Sequence, residues 1–152
     1  MFPQMAEIIK PSEGERFSLQ VFTLSEDNIK LATLRDMANR RRESMGLKAG
    51  NYAKLVDKKS HEIVMSDTAM ERQTNSEFLR KANGHVLIGG LGIGMILLAA
   101  QEKPEIQTIT ILEKYSEVIE LLLPSLPINN KVNIMCRPVG LKRKCIFLKR
   151  YP

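Results

Sequence analysis

Gly90, Gly92 and Gly94 occupy alternate positions between two apolar runs, Val86-Leu-Ile88 and Ile96-Leu-Leu-Ala-Ala100. Where a strand turns into a helix, glycine lets the backbone approach a ligand closely, because no Cβ stands in the way, and N–H groups are bared to that ligand. Further along, Glu113 closes a second β-like run, Thr108-Ile-Thr-Ile-Leu112. A carboxylate at such a place accepts hydrogen bonds from ribose hydroxyls. The chemistry these residues offer is the binding of a nucleotide-type ligand.

Several elements must position them. The alternating, β-rich stretch 17–24 predicts a strand. Ser25, followed by Glu26 and Asp27, predicts a capped helix start, with a hydroxyl acceptor and acids in the first turn. Ile29, Leu31, Leu34, Met37 and Ala38 give that helix an apolar stripe, and it runs out near Met45-Gly46. Arg40, Arg41 and Arg42 near its end suit the helix dipole; phosphate binding is the alternative. Stretches 52–57 and 61–65, joined by Lys58-Lys-Ser60, predict a β-hairpin in which His61 is a surface residue. Ser66 or Asp67 is expected to cap a helix over 69–81 that stops at Asn83-Gly84. After the glycine turn, a helix is expected to about Gln101 and a strand over 106–112. A helix over 116–123 is stopped by Pro124 and Pro127, and a short strand covers 131–135. Strands alternating with helices imply a parallel α/β sheet.

Composition narrows the function classes. The 152 residues are 43% hydrophobic, enough for a globular core rather than wholesale disorder. Aromatics are 5% with no Trp, which argues against a base-stacking nucleic-acid platform. The net charge of +6 is local: all 17 acids precede position 136, and the excess lies on Arg137, Lys142, Arg143, Lys144, Lys149 and Arg150. This basic tail is either a solvated terminus or a contact for nucleic acid or an acidic surface. Cys136 and Cys145 match no zinc spacing and make no disulfide framework. No signal peptide is expected, and a reducing cytoplasm is the default location. The uncharged stretch 86–100 would span roughly 22 Å as a helix, against about 30 Å of hydrocarbon, so no membrane span is expected despite the Gly90/Gly94 pair.

The turn is not the dinucleotide fingerprint, which needs glycine at i, i+2 and i+5. From Gly90 the third place is Met95, from Gly92 it is Leu97, and from Gly89 the second place is Leu91. That disfavours a nicotinamide dehydrogenase. What fits is G-x-G-x-G. With Glu113 closing the next strand, residues 86–94 resemble motif I and its partner acid in class I S-adenosylmethionine-dependent methyltransferases, closest in flavour to the spermidine-synthase-like branch. The resemblance covers roughly residues 52–135 and includes the hairpin and Met65-Ser-Asp-Thr-Ala-Met-Glu71. It implies that Gly90, Gly92 and Gly94 line a pocket for S-adenosylmethionine and that Glu113 binds its ribose. Lys114 or Tyr115 would pack beside adenine, and Asp67 and Glu71 would face the pocket from above; for those two acids, helix capping and a solvated face are the alternatives.

Two departures bear on activity. Motif I often has an acid two residues before its first glycine, where this chain has Ile88, and spermidine synthases usually carry an acid within the turn, where this chain has none. The expected organisation is a small α+β segment with a β-hairpin (1–84), an incomplete Rossmann-like methyltransferase sheet (85–135) and the basic tail (136–152). Pro138 or a neighbour falls where an adenine-contacting acid is expected, and no acid follows. A truncated or frameshifted continuation is expected to produce this pattern. It would leave a sheet edge open to homo-oligomerisation or to a substitute strand over 144–148. The expected function is the cofactor-binding part of a methyltransferase, with no nameable catalytic base. Aminopropyl transfer, or an interaction module that keeps the fold without catalysis, stands as the alternative.

Overall fold

The structure, a computed structural model, describes residues 1–40 and 46–136. Arg41, Arg42, Pro138, Cys145, the basic run beyond 136 and the substitute strand over 144–148 lie outside the described residues. The described chain is mixed α/β, with one antiparallel and one parallel sheet.

The antiparallel sheet is built on β2 (Phe17–Leu24), which pairs along its whole length with β3 (Gly50–Asp57). A short β1 (Ser12–Glu13) flanks β2, and β4 (Glu62–Ser66) flanks β3, giving the order β1-β2-β3-β4. Phe17, Leu19, Ala53 and Leu55 are buried where the strands meet the core. The hairpin predicted from the sequence is therefore present, with His61 exposed in a left-handed conformation (φ 58°) at its turn. Leu55 pairs with Met65 and Val56 with Ile63, so Val64 is the extra residue of a β-bulge. Neither this bulge nor α1 (Met5–Ile8) was expected, since elements that short carry no periodic signal.

α2 (Glu26–Ala38) begins as predicted, Ser25 Oγ accepting from Asn28 N at 3.2 Å. Its apolar stripe is not covered: no residue of α2 is buried among the described residues, and Leu31, Leu34 and Met37 are 53%, 62% and 72% exposed. Periodicity fixes which face of a helix is apolar, not whether a partner lies against it. α3 (Ala69–Lys81) has the predicted bounds but not the predicted cap. Thr68 is the N-cap residue and makes no side-chain cap bond, while Asp67 turns into the core.

The parallel sheet follows, in the order β5-β6-β7, with β5 (Gly84–Gly89), β6 (Ile106–Glu113) and β7 (Val132–Cys136). α4 (Met95–Gln101) connects the first pair, and α5 (Ser116–Leu122) with a 3-10 turn at Leu123–Ser125 connects the second. Val86, Ile88, Ile106, Ile109 and Ile111 are buried, as apolar runs in a covered parallel sheet should be. Six residues of α4 are buried, from Met95 to Gln101 with only Ile96 partly exposed. Lysines close the helix ends. Lys103 Nζ donates to Leu79 O and Ala82 O at 2.8 Å, and Lys131 Nζ donates to Gln101 O at 3.3 Å, which places cations where the helix dipoles favour them. One hydrophobic cluster runs from Met5 and Phe17 through Ile88 and Ile93 to Leu122 and Leu126, so both sheets share a core. Among the described residues no helix is long and apolar enough to cross a membrane.

Candidate functional site

The glycine turn joins β5 to α4. Gly90, Gly92 and Gly94 have φ of 96°, 57° and 80°, the left-handed region that costs other residues energy. The residues between them do the opposite job. Leu91 and Ile93 are 4% and 0% exposed, so the apolar positions anchor the turn while the glycines supply its left-handed backbone. Gly90 N donates to Leu112 O, and Gly94 N donates to Leu91 O, each at 2.9 Å. These bonds lock the turn to the end of β6 and to itself.

Glu113 sits at that same end of β6, 6% exposed. Its Oε2 accepts from Leu91 N at 2.7 Å, and its Oε1 accepts from Tyr115 N at 2.9 Å. Residues separated in sequence thus meet at the carboxyl ends of two adjacent parallel strands, the place where open α/β sheets bind ligands. An ionised carboxylate has about four acceptor positions. Two are used by backbone N–H groups, which leaves capacity for two hydroxyls.

Protein atoms lie over the glycines themselves. A Cβ added at Gly92 would overlap the Met65 thioether and come within 3.5 Å of Met65 Cγ. At Gly94 it would lie 2.8 Å from both methyls of Leu126. At Gly90 the nearest atom is Glu113 Oε2, at 4.0 Å. Gly90 is thus in ordinary contact with Glu113, while Met65 of the hairpin and Leu126, beyond α5, crowd the other two glycines. Neither Met65 nor Leu126 was singled out from the sequence, because an apolar residue in a strand or loop looks the same whether it fills a core or caps a turn.

The remaining predicted residues divide. Lys114 is exposed, its Nζ 4.9 Å from the centre of the Tyr115 ring. Tyr115 packs into the joint between the sheets: its ring lies 4.9 Å from that of Phe17, and the Arg16 guanidinium stands 4.6 Å over it. Asp67 is fully buried, and its carboxylate accepts from Ala53 N at 2.7 Å and from Met5 N at 3.0 Å, with Arg72 Nη2 at 3.4 Å. Arg72 also donates to Pro3 O and Gln4 Oε1, so the pair fastens the N-terminal segment to the hairpin. Glu71 is half-buried, and its carboxyl makes no hydrogen bond or ion pair among the described residues. Burial pushes its pKa upward. Among the described residues no three His, Cys, Asp or Glu side chains come together in a way that could hold a metal ion.

No protein-family model, curated protein or solved structure matches this chain.

Proposed function

We propose that the glycine turn and Glu113 form the S-adenosylmethionine subsite of a Rossmann-like, class I methyltransferase unit. One observation carries this reading: the acid closing β6 hydrogen-bonds the turn that follows β5, through Glu113 Oε2 and Leu91 N. The β5-α4-β6-α5-β7 order with three parallel strands is the arrangement that such a unit requires. Gly92 would let the backbone lie against the amino-acid part of the cofactor, Gly90 would keep a side chain away from Glu113, and Glu113 would hold the ribose hydroxyls. When bound, the cofactor supplies an electrophilic carbon on a sulfonium, and transfer from it depends on orientation rather than on a protein nucleophile. The chain's own contribution is therefore to position. No described side chain is assigned as a base.

A second reading, a fold-retaining module without catalysis, is favoured by the covering of Gly92 and Gly94 by Met65 and Leu126. In that case the glycines serve close packing alone.

Calorimetric titration with S-adenosylhomocysteine separates the two. The first reading expects binding, weakened by about tenfold to a hundredfold in Glu113→Ala, since a hydrogen bond to a charged group contributes about 1.5–3 kcal/mol. A folded wild-type protein that takes up no ligand at millimolar concentration, Met65 variants included, leaves only the second.

A further inference from the structure

We propose that Met65 is a displaceable cap on the glycine turn, holding the ligand-free site closed. The proposal rests on the cofactor reading above and adds a means of control to it.

The argument begins with the bulge. A β-bulge re-aims side chains and tends to occur beside functional sites. Here Val64 is the extra residue, and it sets Met65 opposite Leu55, whose side chain is 1% exposed. Directly paired residues share a face of the sheet, so Met65 points inward with Leu55, while Ile63 and Val64 are 58% and 41% exposed. The inward aim brings the thioether onto Gly92, filling the space that a side chain there would occupy. The glycine whose bareness would serve a ligand is thus covered by a residue from another sheet.

The cap is built to move. β4 is a five-residue edge strand, paired only with β3 among the described residues. Met65 is partly exposed and packs against the margin of the core rather than within it. The strand is pinned at its end by buried Ser66 and Asp67, so the movement is that of the side chain alone, which has three rotatable bonds with which to leave. Leu126 at Gly94 is different: it is 7% exposed and belongs to the core cluster. It is the fixed wall, and Met65 the movable one. When the closed form dominates, apparent affinity falls by the fraction of molecules that are open, so removing the cap tightens binding without adding a contact.

The test compares S-adenosylhomocysteine binding to wild type, Met65→Ala and Met65→Leu, with methionine-methyl NMR on the wild type. A cap predicts binding to M65A about threefold to tenfold tighter than to wild type, or binding to M65A alone, the size being set by the closed fraction. M65L, which keeps the bulk, should not tighten. In the ligand-free wild type the Met65 methyl should show cross-relaxation to the Gly92 α-protons and lose it on saturation. Equal or weaker binding by M65A while wild type binds would overturn the cap and leave the cofactor reading standing. Persistence of the Met65–Gly92 signal at saturation would do the same. If none of the folded proteins binds, both readings fall together.

Discussion

At the scale of single residues, the two acids of the hairpin–helix junction have different surroundings, and those surroundings separate their behaviour. Asp67 has no exposed surface and spends its carboxylate on two backbone N–H groups and on Arg72. Removing one partner of a buried, hydrogen-bonded charge pair costs about 3–5 kcal/mol, because the other groups stay buried without partners. Asp67→Ala should therefore lose about that much in urea unfolding, with the slope of the transition unchanged. A loss below about 1 kcal/mol, the worth of an exposed ion pair, would mean that the N-terminal segment is not held by this carboxylate. The acids themselves were legible in the sequence. Their surroundings were not, since Asp67 gains its partners from Met5 and Ala53, which lie far from it in the chain.

At the scale of elements, local pattern and long-range partnership part company. The hairpin, α3, the glycine turn and β6 follow from periodicity and turn chemistry that neighbouring residues carry. The uncovered stripe of α2, the Val64 bulge and the packing of Tyr115 depend on what lies opposite, and no local pattern encodes that. The joint between the sheets shows the same division. Glu117 on α5 reaches the turn before β2, where its Oε1 accepts from Arg16 N at 2.8 Å and Phe17 N at 3.1 Å. A Cβ on Gly14 would overlap that carboxylate, so a side chain at this position can be accommodated only by moving Glu117 away. Gly14→Ala should displace Glu117 and cost about 1–3 kcal/mol, the worth of hydrogen bonds to a charged group. Glu117→Ala removes the same bonds. The double variant should then be no less stable than Glu117→Ala alone, a non-additive cycle in denaturant unfolding. Additive losses would show that Gly14 matters for some other reason.

At the scale of the whole molecule, the joint and the hairpin–helix junction give opposite pH dependences, which one set of thermal scans can resolve. At the joint, the hydrogen bond from the Arg16 guanidinium, at 2.6 Å, holds the Asp57 carboxyl below its ordinary range. A group whose pKa falls on folding stabilises the fold above its unfolded value, and that stabilisation is lost as pH drops through the folded value. Glu71 is shifted the other way by burial. Its contribution is complete only below the ordinary glutamate range and is lost as pH rises through the raised folded value. Between these limits the two act on separate limbs of the stability profile. Asp57→Asn should flatten the acid limb and lower Tm at neutral pH, where the ion pair is intact. Glu71→Gln should raise Tm at neutral pH and leave the acid limb in place, because an uncharged amide avoids the desolvation that the carboxylate suffers. The second outcome also bears on the site. A half-buried acid that destabilises the fold when charged is tolerated most readily where a bound group can compensate it. If S-adenosylhomocysteine binding weakens in Glu71→Gln while Tm rises, Glu71 faces the ligand, whereas unchanged binding with raised Tm assigns it a role in the fold alone.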